Sequence, residues 1–291
     1  MGSQDLRLLV TGASGQLGRI VVSELARRHD PSKVVALVRD AGKSAELAAL
    51  GVEIAVADYG DPAALQAAFS GVDRALLISS SEVGRRLPQH QNVIAAAQAA
   101  GVGFLAYTSL LRADVSPLGL AAEHLATERA IAASGIPYAL LRNGWYTENN
   151  VASAPAAIAH GALLGSAGQG RFSTAARQDY AEAAAAVLLA AQAPAGKIYE
   201  LAGDEAFTLA EFAAGIAEAS GKPVVYRDLP EAEFRAALEG AGLPAPIAAL
   251  LADSDAGAAK GGLFSDSRDL AGLIGRPTTP WRKTLAGALA G

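Results

Sequence analysis

Three glycines spaced three residues apart, Gly12, Gly15 and Gly18, stand in the run Thr11-Gly12-Ala13-Ser14-Gly15-Gln16-Leu17-Gly18. The run follows a short apolar stretch and opens a segment of helical period, so it reads as a strand-to-helix turn. Its chemistry is anion binding. A glycine at the strand end permits a tight turn, a second lets backbone N–H groups approach a pyrophosphate, and a third lets the helix pack on the sheet. The anion then sits at the positive end of the helix. Arg39 follows the apolar run Val34-Val35-Ala36-Leu37-Val38, at a position where an acidic residue would hold a ribose 2′-hydroxyl. A planar guanidinium there favours a 2′-phosphate and can stack on adenine, with Lys43 adding charge nearby. Asp40 follows directly, and a single arginine at a strand end also has a simple solvated reading. Asp58 is placed to accept from an adenine edge or to cap the helix beginning near Asp61-Pro62. Ser79-Ser80-Ser81 offers three hydroxyls to a ligand, or to their own backbone.

These residues need a scaffold that brings strand ends together. From Leu6 to Arg142 apolar runs alternate with alanine-rich helical segments. The strand candidates are Leu6 to Val10, Lys33 to Val38, Val52 to Ala57, Arg74 to Ile78, Val102 to Thr108 and Tyr138 to Leu141. They are nearly continuously apolar, which predicts a parallel sheet covered on both faces. Helices are expected at Leu17 to Arg28, Ser44 to Leu50, Pro62 to Phe69, Pro88 to Ala100 and Leu120 to Ala133. After Gly144 the rhythm loosens, with helices at about Tyr180 to Ala191, Leu209 to Ser220 and Glu231 to Leu250. Short strands at Lys197 to Leu201 and Pro223 to Tyr226 are expected to return to the sheet. The fold class is therefore α/β, a doubly wound parallel sheet with a second, smaller C-terminal lobe, divided at about 1–150 and 151–291.

Composition narrows the function classes. With 51% hydrophobic and 18% charged residues the chain can build a sizeable core. A net charge of −5 provides no broad cationic field for nucleic acid or anionic lipid. There is no cysteine, so thiolate catalysis and disulfides are excluded. His29, His90, His124 and His160 show no metal-binding spacing, and no metal is expected. Met1-Gly2-Ser3-Gln4 lacks the regions of a signal peptide, and the longest apolar stretch, Ala183 to Ala191, is far short of the roughly 20 residues of a membrane span. A cytoplasmic location with no membrane association is the expectation.

The GxxGxxG spacing is the form associated with short-chain dehydrogenases and reductases. Members of that superfamily commonly use a serine with a YxxxK pair, the lysine lowering the phenol pKa for proton donation. Here Tyr107-Thr108-Ser109 supplies hydroxyls, but the next helix carries His124-Leu125-Ala126-Thr127-Glu128 where YxxxK would stand. The pair is absent. The segments TGASGQLG at Thr11, VALVRD at Val35, ADYGD at Ala57, LLISSSEVG at Leu76, AYTSLL at Ala106 and LLRNGWYTEN at Leu140 carry a closer likeness. So do SPLGLA at Ser116, ASAPAA at Ala152, YELAGD at Tyr199 and LADSDAGAAKGGLF at Leu251. Together they resemble the NmrA-like atypical branch of the superfamily, and within it the zinc-independent NAD(P)H:quinone oxidoreductase group of type 2.

That resemblance implies a Rossmann-type fold and hydride transfer from NADPH to a quinone, without flavin or metal. It places the dinucleotide against the Gly12 to Gly18 loop, Arg39, Ser79 to Ser81 and the segment Asn143-Gly144-Trp145-Tyr146-Thr147-Glu148-Asn149. A quinone gains aromaticity on reduction, so accurate placement of the nicotinamide could suffice without a Tyr/Lys acid. Trp145 and Tyr146 offer flat surfaces for a planar ring, or simply pack a lobe junction. Asn149 offers a polar handle for a quinone oxygen. His124 is the candidate proton donor, because an imidazole titrates near neutrality, although a single helical histidine also has a structural reading. A homodimer would be unsurprising for the superfamily. Two further readings remain: a non-catalytic NADP-binding redox sensor, suggested by the missing pair, and a triphenylmethane-dye reductase, which shares the Ala126-Thr127-Glu128 tripeptide.

Overall fold

The computed structural model describes residues 5–290, so the opening Met1-Gly2-Ser3-Gln4 segment lies outside the described residues. The first half of the chain runs β1 (Leu8–Val10), α1 (Gln16–Arg28), β2 (Val34–Val38), α2 (Ala45–Ala48), β3 (Glu53–Val56), α3 (Pro62–Ala68) and β4 (Arg74–Leu77). It continues with α4 (Arg86–Ala99), β5 (Phe104–Leu110), α5 (Ala121–Ala133) and β6 (Tyr138–Asn143). Every strand and helix expected in this half is present, with ends displaced by a few residues. Val34 to Val38 are all buried because helices cover both faces of the strand. Along β1, Leu8 and Val10 point into one core with Val21, Leu25, Leu76 and Leu188, while Leu9 points into the other with Leu65, Phe69, Val93 and Tyr107. This two-residue alternation builds two cores from one sheet.

The second half adds α6 (Thr147–Val151), α7 (Ala154–His160), β7 (Ala162–Gly165), β8 (Arg171–Phe172), α8 (Arg177–Leu189) and β9 (Lys197–Leu201). After these come β10 (Phe207–Thr208), α9 (Leu209–Ser220), β11 (Val225–Asp228), α10 (Glu231–Gly240), α11 (Ala245–Ala259), α12 (Asp269–Ile274) and α13 (Trp281–Ala290). The seven-stranded sheet has the order β3-β2-β1-β4-β5-β6-β9, all parallel. The order reverses between β1 and β4, and ligands of such sheets bind in the crevice at the carboxyl ends flanking that point.

The late chain corrects two expectations. Lys197 to Leu201 joins the sheet as β9 beside β6, and α8 packs on α1. The expected strand at Pro223 to Tyr226 instead forms as β11 and pairs with β7, from Val225 opposite Ala162 to Asp228 opposite Gly165, in a separate two-stranded sheet. The single helix expected from Glu231 to Leu250 is two helices. Gly242 has a φ of +92° and Pro244 caps α11, so the chain turns where a continuous helix cannot run. A third core lies around Phe172, Phe207, Phe212 and Trp281, with Phe207 4.9 Å from the Trp281 ring.

Within this third region Asp255 of α11 is partly buried facing Asp228 and Tyr226, and desolvation pushes its carboxyl up to about 6. Ser166 N–H donates to it at 3.0 Å, which only partly compensates. The folded state thus holds this proton more tightly than the unfolded chain does. Stability is greatest where the carboxyl is protonated in both states, falls as pH rises through the ordinary carboxylate range, and levels off above about 6. Asp255→Asn is expected to stabilise the fold by on the order of 1 kcal/mol at pH 8 and by nothing measurable at pH 4. Thermal unfolding at the two pH values checks this; the same gain at both would contradict it.

Candidate functional site

The glycine turn lies at the switch point. Ala13 N–H donates to the Leu37 carbonyl and Thr11 N–H to the Leu76 carbonyl, each at 3.0 Å, so the turn is stitched to β2 and β4. Gly12 has a φ of +59°, a conformation costly for residues with a Cβ. A Cβ on Gly18 would lie 2.3 Å from the Gly12 carbonyl oxygen, so α1 can approach the turn this closely only with glycine there. Gly15 caps α1 without any side-chain hydrogen bond, and no acidic residue stands in the first turn. The N–H groups at this helix end therefore keep their capacity for an external anion. The fit is that of a phosphate cradle.

A groove of about 560 Å³ runs along this turn. Ser14, Gly15, Gln16, Leu17 and Gly18 line it together with Gly12. Ala13 does not: its side chain is buried in the core and its N–H is spent on Leu37. Arg39 and Lys43 line the groove, and the Arg39 guanidinium is largely exposed and meets Glu82 at 2.9 Å. Asp58 also faces the groove, with Oδ1 accepting from Gly60 N–H at 2.7 Å. The residue capping α3 is Asp61, which accepts from Ala63 and Ala64, so the capping alternative for Asp58 is set aside.

Ser79, Ser80 and Ser81 all line the groove. Their loop is fastened from behind by groups that sequence reading overlooked. Thr108 Oγ1 accepts from Ser79 N–H at 2.9 Å, Arg86 Nε donates to the Ser80 carbonyl at 2.6 Å, and Ser80 Oγ donates to Gln89 Oε1 at 2.5 Å. His90 Nε2 accepts from Ser80 N–H at 2.9 Å, so Nδ1 carries the ring proton and donates to Thr127 Oγ1. Burial and the Arg86 charge lower His90 to about 4, which keeps it in this neutral form. Tyr59 ties the strand ends together: its hydroxyl is 2.5 Å from Thr11 Oγ1 and 3.0 Å from the Ile78 carbonyl, and it lines the groove.

Of the segment from Asn143 to Asn149, the structure brings Tyr146 and Asn149 to the groove. Trp145 packs against the third core. Thr147 is buried with its hydroxyl donating to Thr174, and Glu148 accepts from the Arg177 N–H at the start of α8. Asn143 is buried with Nδ2 3.4 Å from the Tyr146 hydroxyl. Gly144 sits so close to Leu201 and Tyr180 that a Cβ would meet their oxygens at 3.1 Å. These five shape the wall from behind and do not line the groove. Arg177, from α8, completes it: its guanidinium lies 5.0 Å from the Tyr146 ring centroid and donates to Asn149 Oδ1 at 2.6 Å.

His124 is not at the groove. It is buried, with Nε2 accepting from Arg86 Nη1 at 3.4 Å and Nδ1 2.9 Å from the Tyr107 hydroxyl. Burial and the neighbouring Arg86 charge push it down to about 3, so near neutral pH it is the neutral imidazole and not the imidazolium acid. On α5 the polar positions at His124 and Glu128 face the sheet interior. Glu128 there binds buried Arg142 at 2.8 Å and accepts from Ser109 at 2.5 Å. Among the described residues no cluster of histidine or carboxylate side chains could hold a metal ion. No helix among them is long and apolar enough to cross a membrane.

A parallel sheet of order 3-2-1-4-5-6 with a glycine turn and an open groove at its switch point defines a Rossmann-type α/β protein. The chain belongs to the NmrA-like family, whose family model matches residues 4–266. It is 58% identical to quinone oxidoreductase 2 of Escherichia coli over 272 residues, covering 94% of this chain and 95% of that one. The crystal structure of an NADPH-dependent quinone oxidoreductase from E. coli, complexed with NADPH, superposes with a TM-score of 0.95 at 56% identity, covering 97% of this chain and 99% of that one. Triphenylmethane reductase from Citrobacter sp. superposes with a TM-score of 0.93 at 37% identity, covering 98% and 100%.

Proposed function

We propose that this chain is an oxidoreductase that reduces a quinone with NADPH. The observation that carries the reading is one continuous groove joining the uncapped start of α1, the Arg39 and Lys43 charges, and the Tyr146–Asn149–Arg177 wall. The identity to the E. coli quinone oxidoreductase supports the same assignment. When bound, NADPH supplies the hydride. Gly12, Ser14, Gln16, Leu17 and Gly18 would hold its pyrophosphate with backbone N–H groups, the Gly15 N–H being taken by the Gly12 carbonyl, and Arg39 with Lys43 would hold the 2′-phosphate. Asp58 faces the adenine, and the Ser79 to Ser81 loop, immobilised by His90, Arg86 and Gln89, faces the riboses.

Tyr146 forms the flat boundary for the quinone ring and Asn149 its polar contact, with Arg177 fixing both. Trp145, Asn143, Gly144, Thr147 and Glu148 act by holding that wall in place. The chain beyond residue 150 supplies Arg177, and through α8 and β9 it returns to the nucleotide-binding half. Hydride addition would leave a hydroquinone anion that needs one proton, which water entering the open groove can supply. The protein's contribution is placement in a near-attack geometry. A reducing cytoplasm supplied with NADPH suits the reaction.

Under anaerobic conditions, one hydroquinone should form per NADPH consumed, and turnover should slow when NADPH carries deuterium at C4. NADPH loss without hydroquinone would overturn the assignment. Because His124 is buried and neutral, His124→Gln should cost about 1–2 kcal/mol of stability through a lost buried hydrogen bond. Turnover per folded molecule should stay within about twofold. A loss of about a hundredfold, the scale of general-acid catalysis, would restore His124 as the proton donor.

A further inference from the structure

The run Ser79-Ser80-Ser81-Glu82-Val83-Gly84 contains a carboxylate that the reaction does not use. Glu82 stands just past the serine loop and lines the groove beside Arg39. Its Oε1 accepts from Arg39 Nη1 at 2.9 Å, while Oε2 accepts from Gln89 Nε2 at 3.0 Å and lies 3.7 Å from Arg85 Nη1. Arg39 follows β2 and Glu82 follows the end of β4, the two strands that flank β1. The pair therefore bridges the groove over the glycine turn. Gln89 is itself bonded to the Ser80 hydroxyl, so Glu82 is anchored on the side away from Arg39.

We propose that Glu82 sets how strongly the site prefers a 2′-phosphorylated dinucleotide. The inference rests on the reading that Arg39 receives the 2′-phosphate. A phosphate arriving at Arg39 must share or replace the Glu82 carboxylate, and it brings negative charge next to a carboxylate that Gln89 holds in place. Both effects oppose the 2′-phosphate and neither opposes a 2′-hydroxyl, which Glu82 can accept from instead. Glu82 thus restrains the NADPH preference that Arg39 creates.

Glu82→Gln keeps the shape and an acceptor for Gln89 while removing the charge. Dissociation constants for NADPH, NADH and adenosine 2′-monophosphate, measured by calorimetry on the wild type, Glu82→Gln and Arg39→Ala, test the proposal. NADPH and adenosine 2′-monophosphate should bind Glu82→Gln about fivefold more tightly, the scale of one partly exposed charge pair. NADH should bind unchanged or more weakly. Unchanged or weaker NADPH binding, or an equal gain for both dinucleotides, would overturn the role of Glu82 while Arg39→Ala still discriminates the two. If Arg39→Ala leaves NADPH binding intact, the 2′-phosphate reading fails and the role of Glu82 falls with it.

Discussion

Gly18→Ala is expected to weaken NADPH binding about a hundredfold and to destabilise the fold by about 3 kcal/mol, the range of a substitution that forces backbone to move. The new Cβ would lie 2.3 Å from the Gly12 carbonyl oxygen and 2.8 Å from the Ala13 Cα, both backbone atoms with no side-chain freedom to yield. Either α1 lifts from the turn or the turn opens, and in both cases the N–H groups around Gly15 leave the geometry a pyrophosphate needs. Gly15→Ala is the graded control. Its Cβ would meet only the Gly12 oxygen, at 3.1 Å, so a smaller loss is expected on both counts. Fluorescence titration with NADPH, paired with thermal unfolding of each variant, reads the two effects separately. Equal affinities for the two variants would contradict the account of the turn.

Arg39→Ala should weaken NADPH by about 1.5–3 kcal/mol, roughly tenfold to a hundredfold, which is the range for hydrogen bonds to a charged group. NADH should change little. Among the described residues Arg39 is held only by Glu82 at the groove surface, so its removal leaves no buried partner uncompensated and the fold should be unaffected. Comparing dissociation constants for the two dinucleotides is the check. Equal losses for both would remove the 2′-phosphate from Arg39.

The glycine turn, Arg39, Asp58 and the serine loop were legible because each sits at a strand end, and strand ends can be read from apolar runs. Arg177 was not legible. It meets Tyr146 and Asn149 only because α8 folds back onto α1 and β9 enters the sheet beside β6, a return that local periodicity cannot specify. His124 misled for a related reason. Its place on α5 follows from the helical pattern, but whether that face meets the groove or the sheet interior depends on Tyr107 and Arg86, which come from β5 and α4. Trp145 likewise lies next to a lining residue in sequence yet points into the third core, since neighbouring positions diverge where β6 gives way to α6. The late helix was misread because Glu231 to Leu250 has apolar residues on both sides of Gly242 and Pro244, and the break outweighs the pattern.

The protein should reduce quinones and prefer NADPH to NADH. Steady-state loss of NADPH absorbance, and separately of NADH absorbance, with simple benzoquinones and naphthoquinones tests this most directly. The enzyme-free rate is subtracted because quinones oxidise these dinucleotides unaided. Saturable turnover with a higher kcat/KM for NADPH than for NADH is expected; tight NADPH binding with no turnover above the enzyme-free rate would rule out quinone reduction.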